Sequence, residues 1–301
     1  MRNRHLIAIK HLHIDEIFEI FEETKRIKDL TKKGIPFKPL EGKTLGMLFS
    51  KSSTRTRISF EVGMYQLGGY PMYLDIKKSL QMRHGESIYD TANVLSRYLN
   101  GIMIRTYDHS DAEKLAEYGT IPVINGLTDL FHPCQILTDI YTIIEKFGIL
   151  GGIRVAFIGD GNNVANSWLF GAAKTGINLN LIIPEGYECK PELLEEAQQI
   201  AKNTGSVIQI FNNAAEGVKD ADVVYTDVWA SMGQEEEAEK RNEIFSKFQV
   251  NRALLENASK NYKVMHCLPA HRGVEITDEV IDNPTHSIVF DQAENRMHVQ
   301  K

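Results

Sequence analysis

The chain has 301 residues, is 43% hydrophobic, and carries 34 Lys+Arg against 40 Asp+Glu, a formal net charge of -6. That size and apolar content suffice for two hydrophobic cores. The charge balance excludes a broad basic field for nucleic acid or an anionic membrane, so any bound anion must be gripped locally. Three cysteines (Cys134, Cys189, Cys267), no charged-then-apolar leader and no apolar run of about 18 residues point away from secretion, disulfides and membrane spans, and predict a cytoplasmic protein.

His13 to Lys33 carries Ile14, Ile17, Phe18, Ile20, Phe21, Thr24 and Ile27 at helical spacing, with Asp15 and Glu16 early and lysines late, and reads as a long amphipathic helix. Short apolar runs then alternate with helical patterns: strand Thr44 to Phe49, helix Thr54 to Leu67, strand Pro71 to Leu74, helix Ser87 to Leu99, strand Gly101 to Ile104, and a fourth strand expected to end at Val123. Pro133 to Phe147 is a helix with a continuous apolar stripe, closed by the glycines of Gly148 to Gly152 and expected to bridge two domains. The pattern restarts with strand Ile153 to Ile158, helix Val164 to Lys174, strand Leu179 to Ile183, helix Pro191 to Lys202, and strands Val207 to Ile210, Asp222 to Tyr225, Lys263 to His266 and Ser287 to Phe290. Such alternation predicts an α/β protein of two doubly wound parallel-sheet domains joined by interdomain helices. The expected boundaries are 1–148, 149–288, and a C-terminal segment 289–301 returning toward the first domain.

In open α/β sheets ligands bind outside the carboxyl ends of the strands, so the strand-end residues are the candidates, and the two sets are expected to face one cleft. Ser52, Ser53, Thr54, Arg55, Thr56 and Arg57 follow the first strand and open a helix. Hydroxyls, a guanidinium and free backbone N–H groups there make an anion site. A Ser/Thr cluster also makes an ordinary cap, but Arg55 in the first turn opposes the helix dipole, which favours a compensating ligand anion. Arg105, at the end of an apolar strand, suits bidentate contact with a phosphoryl group. His132 stands just before a helix opened by Pro133, where the positive helix end lowers an imidazole pKa, and Gln135 lies one turn on.

Gly159-Asp160-Gly161-Asn162-Asn163 resembles a dinucleotide fingerprint, but Val164 replaces the third glycine and no acidic residue ends the next strand. Asn162 and Asn163 instead offer amides to an amino-acid carboxylate. Asp227 with Ser231-Met232-Gly233 suits a primary ammonium, and the acidic run Gln234 to Lys240 is either a solvated face or part of a closing loop. Cys267 is either a small buried hydrophobe or a reactive thiol. A Cys-His nucleophile pair with His266 would leave the phosphate loop without a role.

Four strings in order, SSTRTR (52–57), FHPCQ (131–135), DVWASMG (227–233) and HCLPAHRG (266–273), resemble the aspartate/ornithine carbamoyltransferase family, in its ornithine-type branch. The resemblance covers the whole chain. It implies a carbamoyl-phosphate domain followed by an ornithine domain, no metal or other cofactor, and a homotrimer or assembly of trimers with active sites at subunit boundaries. It assigns phosphate binding to Ser53, Thr54, Arg55, Thr56 and Arg105, the carbamoyl end to His132 and Gln135, and a neighbouring subunit's phosphate to Gln81. Asn163, Asp227, Ser231 and Met232 resemble ornithine contacts, Cys267 and Leu268 would lie by the reacting carbon, and Arg296 resembles an arginine that returns to the phosphate. Aspartate-type relatives carry a lysine-bearing loop where this chain has Gln81, and His-Pro-Leu-Pro where it has His266-Cys267-Leu268-Pro269.

The expected chemistry is carbamoyl transfer from carbamoyl phosphate to the side-chain amine of L-ornithine. Arg105, His132, Cys267 and Asp227 would be catalytic, with Cys267 as proton acceptor. The alternatives are another amine acceptor such as putrescine, a dinucleotide-dependent dehydrogenase, and a catalytically idle homologue.

Overall fold

Helix α1 (Ile14–Lys32) starts where the sequence caps it: His13 accepts from Asp15 N while Glu16 accepts from His13 N, a reciprocal capping box. Ile17, Phe21, Thr24 and Ile27 form its buried stripe, whereas Phe18, placed on that stripe by its spacing, is 40% exposed. The computed structural model describes residues 5–76, 85–230 and 237–301. The chain divides into two compact units, Met1–Thr138 with Glu294–Lys301, and Asp139–Ala293.

The first unit holds strands β1 (Thr44–Phe49), β2 (Tyr70–Asp75), β3 (Gly101–Arg105) and β4 (Val123–Leu127), all parallel in the order β2-β1-β3-β4. Alternation along β1 sends Leu48 into a core with Ile102, Ile104, Leu95 and Leu115, and Met47 and Phe49 into a second core with Phe60, Met64 and Met103. Helices α3 (Ile88–Tyr98) and α4 (His109–Tyr118) supply the first core, and α2 (Thr54–Gln66) with the start of α5 (Pro133–Phe147) the second. Val123 opens the fourth strand and does not end it. The polar Asn125 and Gly126 hid the strand because Asn125 spends its amide on the Ile7 carbonyl at 2.9 Å.

The second unit holds β5 (Arg154–Ile158), β6 (Asn178–Ile182), β7 (Ile208–Phe211), β8 (Val223–Thr226) and β9 (Lys263–His266), parallel in the order β7-β6-β5-β8-β9. One face packs Ala156, Ile158, Val224 and Val264 against α8 (Ala214–Val218), α10 (Arg252–Leu255) and α11 (Asp278–Ile281). On the other, Phe157 stacks on Tyr225, which meets Trp168 of α6 (Asn163–Thr175) edge-on. Helices α7 (Pro191–Thr204) and α9 (Ala238–Phe245) complete this unit, and α12 (Val289–Gln300) closes the chain.

Ser287 to Phe290 does not extend the second sheet. Ser287 makes one isolated bridge to Val264, and α12 begins at Val289. The apolar triplet Ile288-Val289-Phe290 mimics a strand because the buried face of α12 is polar, with Gln292 at 1%, Asn295 at 0% and Arg296 at 6% exposure, while Phe290 is 70% exposed. A helix whose inward residues are polar gives no apolar period to read.

Each sheet reverses its winding once, between β1 and β3 in the first unit and between β5 and β8 in the second. Those switch points are where a doubly wound sheet leaves an open crevice at its strand ends, and the candidate residues stand beside them.

Candidate functional site

In the first unit, Ser53 caps α2: its hydroxyl accepts from Thr56 N at 3.2 Å and donates to Thr56 Oγ1 at 3.0 Å. Capping and anion binding are therefore compatible uses of one loop. Thr54 is exposed and Arg55 half-buried, and no acidic residue occupies the first turn of α2, whose N-terminal donors favour an anion.

Behind that loop a cationic cluster is buried. Arg105, at the end of β3, reaches Thr56 Oγ1 at 3.5 Å. Arg296 of α12 donates to Gln135 Oε1 at 2.8 Å, to Thr56 Oγ1 at 2.9 Å and toward His132 Nε2 at 3.3 Å. Thr56, Arg105, His132, Gln135 and Arg296 are all at most 7% exposed. Burial, followed by the charges of Arg296 and Arg105, holds the His132 imidazole well below its ordinary 6.5, so the ring is neutral near pH 7. Lys51, which sequence reasoning passed over, is buried in an ion pair with Asp129 and lies 4.1 Å from the Tyr107 ring centroid, adding a cation next to the loop.

In the second unit the polar groups converge on Asp227, just past β8. Its Oδ1 accepts from Val228 N at 2.8 Å and from the Cys267 thiol at 2.9 Å, and its Oδ2 accepts from Asn162 Nδ2 at 2.9 Å. Asn162 also caps α6 through Val164 N and Ala165 N. The amide oxygen is thereby engaged as a cap and one of the two amide N–H donors by Asp227. Asn163, the first residue of α6, is half-buried.

His266 is fixed at both nitrogens. Nδ1 accepts from Leu268 N at 2.8 Å and Nε2 meets Glu275 Oε1 at 3.1 Å, with both side chains wholly buried. No nitrogen is left for Cys267, so the Cys-His nucleophile pair is not formed. Leu268 has φ +56°, a left-handed conformation costing about 1–3 kcal/mol in a non-glycine residue, of the kind found at functional sites. The bond to His266 holds it there. Asp227, His266 and Cys267 place an oxygen, a nitrogen and a sulfur within 4.8 Å of one another, a metal-type donor set whose nitrogen and thiol are already used in these bonds.

Gln81, Ser231 and Met232 lie outside the described residues, as do Gln234, Glu235 and Glu236 of the acidic run. Sequence reasoning missed Glu275 and Arg241; the second of these directly follows that run.

Polar groups beside the switch point of each sheet, cationic around a helix N-terminus in the first unit and acidic beside a thiol in the second, are those of the doubly wound α/β class, which binds ligands at such positions. Residues 4–145 match the model of the aspartate/ornithine carbamoyltransferase carbamoyl-P binding domain, and residues 151–301 that of the Asp/Orn binding domain. The chain belongs to the aspartate/ornithine carbamoyltransferase family. It is 52% identical over 301 residues to the ornithine carbamoyltransferase of Thermococcus kodakarensis, covering all of this chain and 95% of that one. An anabolic ornithine carbamoyltransferase of Pyrococcus furiosus is equally similar, at 52% and the same coverage. A solved structure of the Pyrococcus furiosus enzyme superposes with a TM-score of 0.96 over 99% of this chain and 95% of that one, and one from Gloeobacter violaceus, 42% identical, with 0.88 over 100% and 97%.

Proposed function

We propose that this protein transfers the carbamoyl group of carbamoyl phosphate to the side-chain amine of L-ornithine, giving L-citrulline and phosphate, in the anabolic direction that supplies arginine. The single observation that carries the reading is the buried Arg105-Arg296-His132-Gln135-Thr56 cluster behind a helix N-terminus. The names of relatives 52% identical over the full chain point the same way.

In this scheme the phosphoryl group takes the N-terminal donors of α2 with Ser53, Thr54, Arg55 and Thr56, and Arg105 neutralises its charge. Arg296 is already placed to join them. His132 and Gln135 hold the carbamoyl group. A neutral imidazole hydrogen-bonds the carbonyl oxygen without the competing positive charge that would tie it to the phosphate. Guanidiniums fixed before the reaction stabilise the charge that builds on oxygen at no reorganisation cost.

The amino acid binds with its α-ammonium on Asp227, whose Oδ2 keeps a lone pair beyond the Asn162 bond, and with its carboxylate on Asn163 and Ser231, beside Met232. A side-chain ammonium of this type has a pKa of about 10 and must lose a proton before it attacks. The Cys267 thiol donates to Asp227 Oδ1 at 2.9 Å. We therefore assign proton receipt to the Cys267–Asp227 pair, with the thiol passing its proton to the carboxylate as it takes one. The amine nitrogen then bonds to the carbamoyl carbon and gives its second proton to the departing phosphate oxygen as the C–O bond breaks, and hydrogen phosphate leaves onto the arginines.

A homo-oligomer with Gln81 reaching a neighbouring phosphate site belongs to the same reading. It is supported by exposed apolar groups on α2, where Ile58 is 53% and Tyr65 76% exposed, and is checked by light scattering.

The deciding experiment supplies carbamoyl phosphate with ornithine, putrescine, aspartate or lysine and measures phosphate and carbamoylated product. Ornithine should give the highest kcat/KM. Preference for putrescine, or no turnover with any amine, overturns the reading.

A further inference from the structure

Within the second unit one buried guanidinium touches neither Asp227 nor Cys267, yet is tied to the loops after β5, β6 and β8. Arg241 of α9 donates from Nη1 to Asp160 Oδ2 at 2.9 Å and to the Trp229 carbonyl at 3.0 Å, and from Nε to Glu237 Oε2 at 3.1 Å. Its plane lies 5.0 Å from the Tyr187 ring centroid. Arg241 is 6% and Asp160 8% exposed. We propose that Arg241 is a positioning residue for the amino-acid substrate, a brace that locks the loops after β5, β6 and β8 in the register that presents Asp227 and the start of α6. This rests on the assignment of that half-site to the amino acid.

The connectivity carries the argument. Asp160 stands two residues before Asn162, the donor to Asp227 Oδ2, and Trp229 stands two residues after Asp227. Arg241 thus grips both segments whose side chains meet in the Asn162–Asp227 bond. The third loop joins through Tyr187, whose ring lies near the guanidinium and whose carbonyl accepts from Gly161 N at 2.9 Å. These loops approach so closely at Gly161 that an added Cβ would stand 2.4 Å from Cys189 N.

Only an arginine meets these demands. A planar fork can bond two acceptors from one edge and a third from another while its face rests on an aromatic ring; a lysine ammonium is a point charge on a flexible stem. Burial pushes the Asp160 carboxyl up, with Arg241 opposing that push and Asp227 adding to it. Loss of Arg241 therefore leaves a buried acid, two residues from the cap Asn162, without its guanidinium partner, and the loop must move or the carboxyl take a proton.

The test compares Arg241→Gln, Arg241→Lys and the double variant Asp160→Asn/Arg241→Gln with the wild-type enzyme, measuring KM for each substrate, kcat and Tm. Arg241→Gln should raise KM for ornithine about tenfold to a hundredfold, the scale of a small misplacement of binding groups, while KM for carbamoyl phosphate stays within about twofold. Arg241→Lys should recover part of that loss. The double variant removes the stranded buried charge, so it should regain Tm, yet keep the high ornithine KM because no brace remains. If the double variant regains both Tm and KM, or if the two KM values rise together, Arg241 only neutralises Asp160 and the proposal fails. No turnover by the wild-type enzyme overturns the functional reading and this proposal with it, whereas wild-type turnover with an unchanged ornithine KM in Arg241→Gln overturns this proposal alone.

Discussion

The two half-sites occupy the same topological position, the switch point of a parallel sheet, and carry opposite charge. In the first unit Arg105 and Arg296 stand beside a neutral His132; in the second Asp227, Asp160 and Glu275 are tied to Asn162, Arg241 and His266. The difference teaches that the winding of the sheet decides where a ligand goes, and a handful of side chains decides which ligand it is. It also shows two ways of stabilising buried charge. In the cationic cluster Arg296 donates to the neutral acceptors Thr56 and Gln135. The acidic cluster is mostly satisfied internally and keeps one carboxylate edge available.

The sharpest way to break this comparison is to remove one charge from each side. Arg105→Gln should lower kcat/KM for carbamoyl phosphate by about 10³-fold, the upper range for deleting a preorganised donor to developing charge, with ornithine KM nearly unchanged; steady-state kinetics varying each substrate in turn will show it. Asp227→Asn should cost about 10²-fold in kcat/KM for ornithine, as expected for losing one charge of a buried polar pair, and should spare carbamoyl-phosphate binding by calorimetry. Equal rises in the KM values of both substrates in either variant would erase the division of labour.

Gly161→Ala tests the crowding under the acidic half-site. Its Cβ would meet backbone atoms of Cys189, Glu188 and Tyr187 at 2.4–2.5 Å, so the variant should lose about 1–3 kcal/mol of stability, visible in urea unfolding, together with a higher ornithine KM.

The smallest effect concerns the neutral histidine of the cationic half-site. Burial and the neighbouring arginines keep His132 uncharged in the fold, whereas in the unfolded chain it takes a proton below about pH 6.5. The unfolded state then binds more protons than the folded one, so this contribution to stability is present above pH 6.5 and is lost as pH falls, by up to about 1.4 kcal/mol per unit. His132→Gln removes that term, and its unfolding free energy should fall less steeply than the wild type's between pH 7 and pH 5.

Strand-end positions were legible because the winding rule needs only the order of strands. Ser53 to Thr56, Arg105, His132, Asn163, Asp227 and Cys267 could be marked from local pattern alone, and the cap at Ser53 formed as its hydroxyl and spacing required. The fourth strand was misplaced, and the final helix was read as a strand, for one reason: in β4 and α12 polar residues face inward and bond to groups far away in sequence, Asn125 to Ile7 and Gln292 to Asp139. Apolar periodicity cannot report on a buried polar face.

The sequence by itself determined two repeats of strand and helix, the sign of charge each presents at its strand ends, and a local anion loop, because all of these depend on neighbours within a few residues. Only the tertiary structure decided that Arg296 meets Thr56 across 240 residues, that Arg241 grips Asp160 across 81, and that His266 spends both nitrogens away from Cys267. Such pairings are set by how the helices pack and by the need of every buried polar atom for a partner, and neither is written in local spacing.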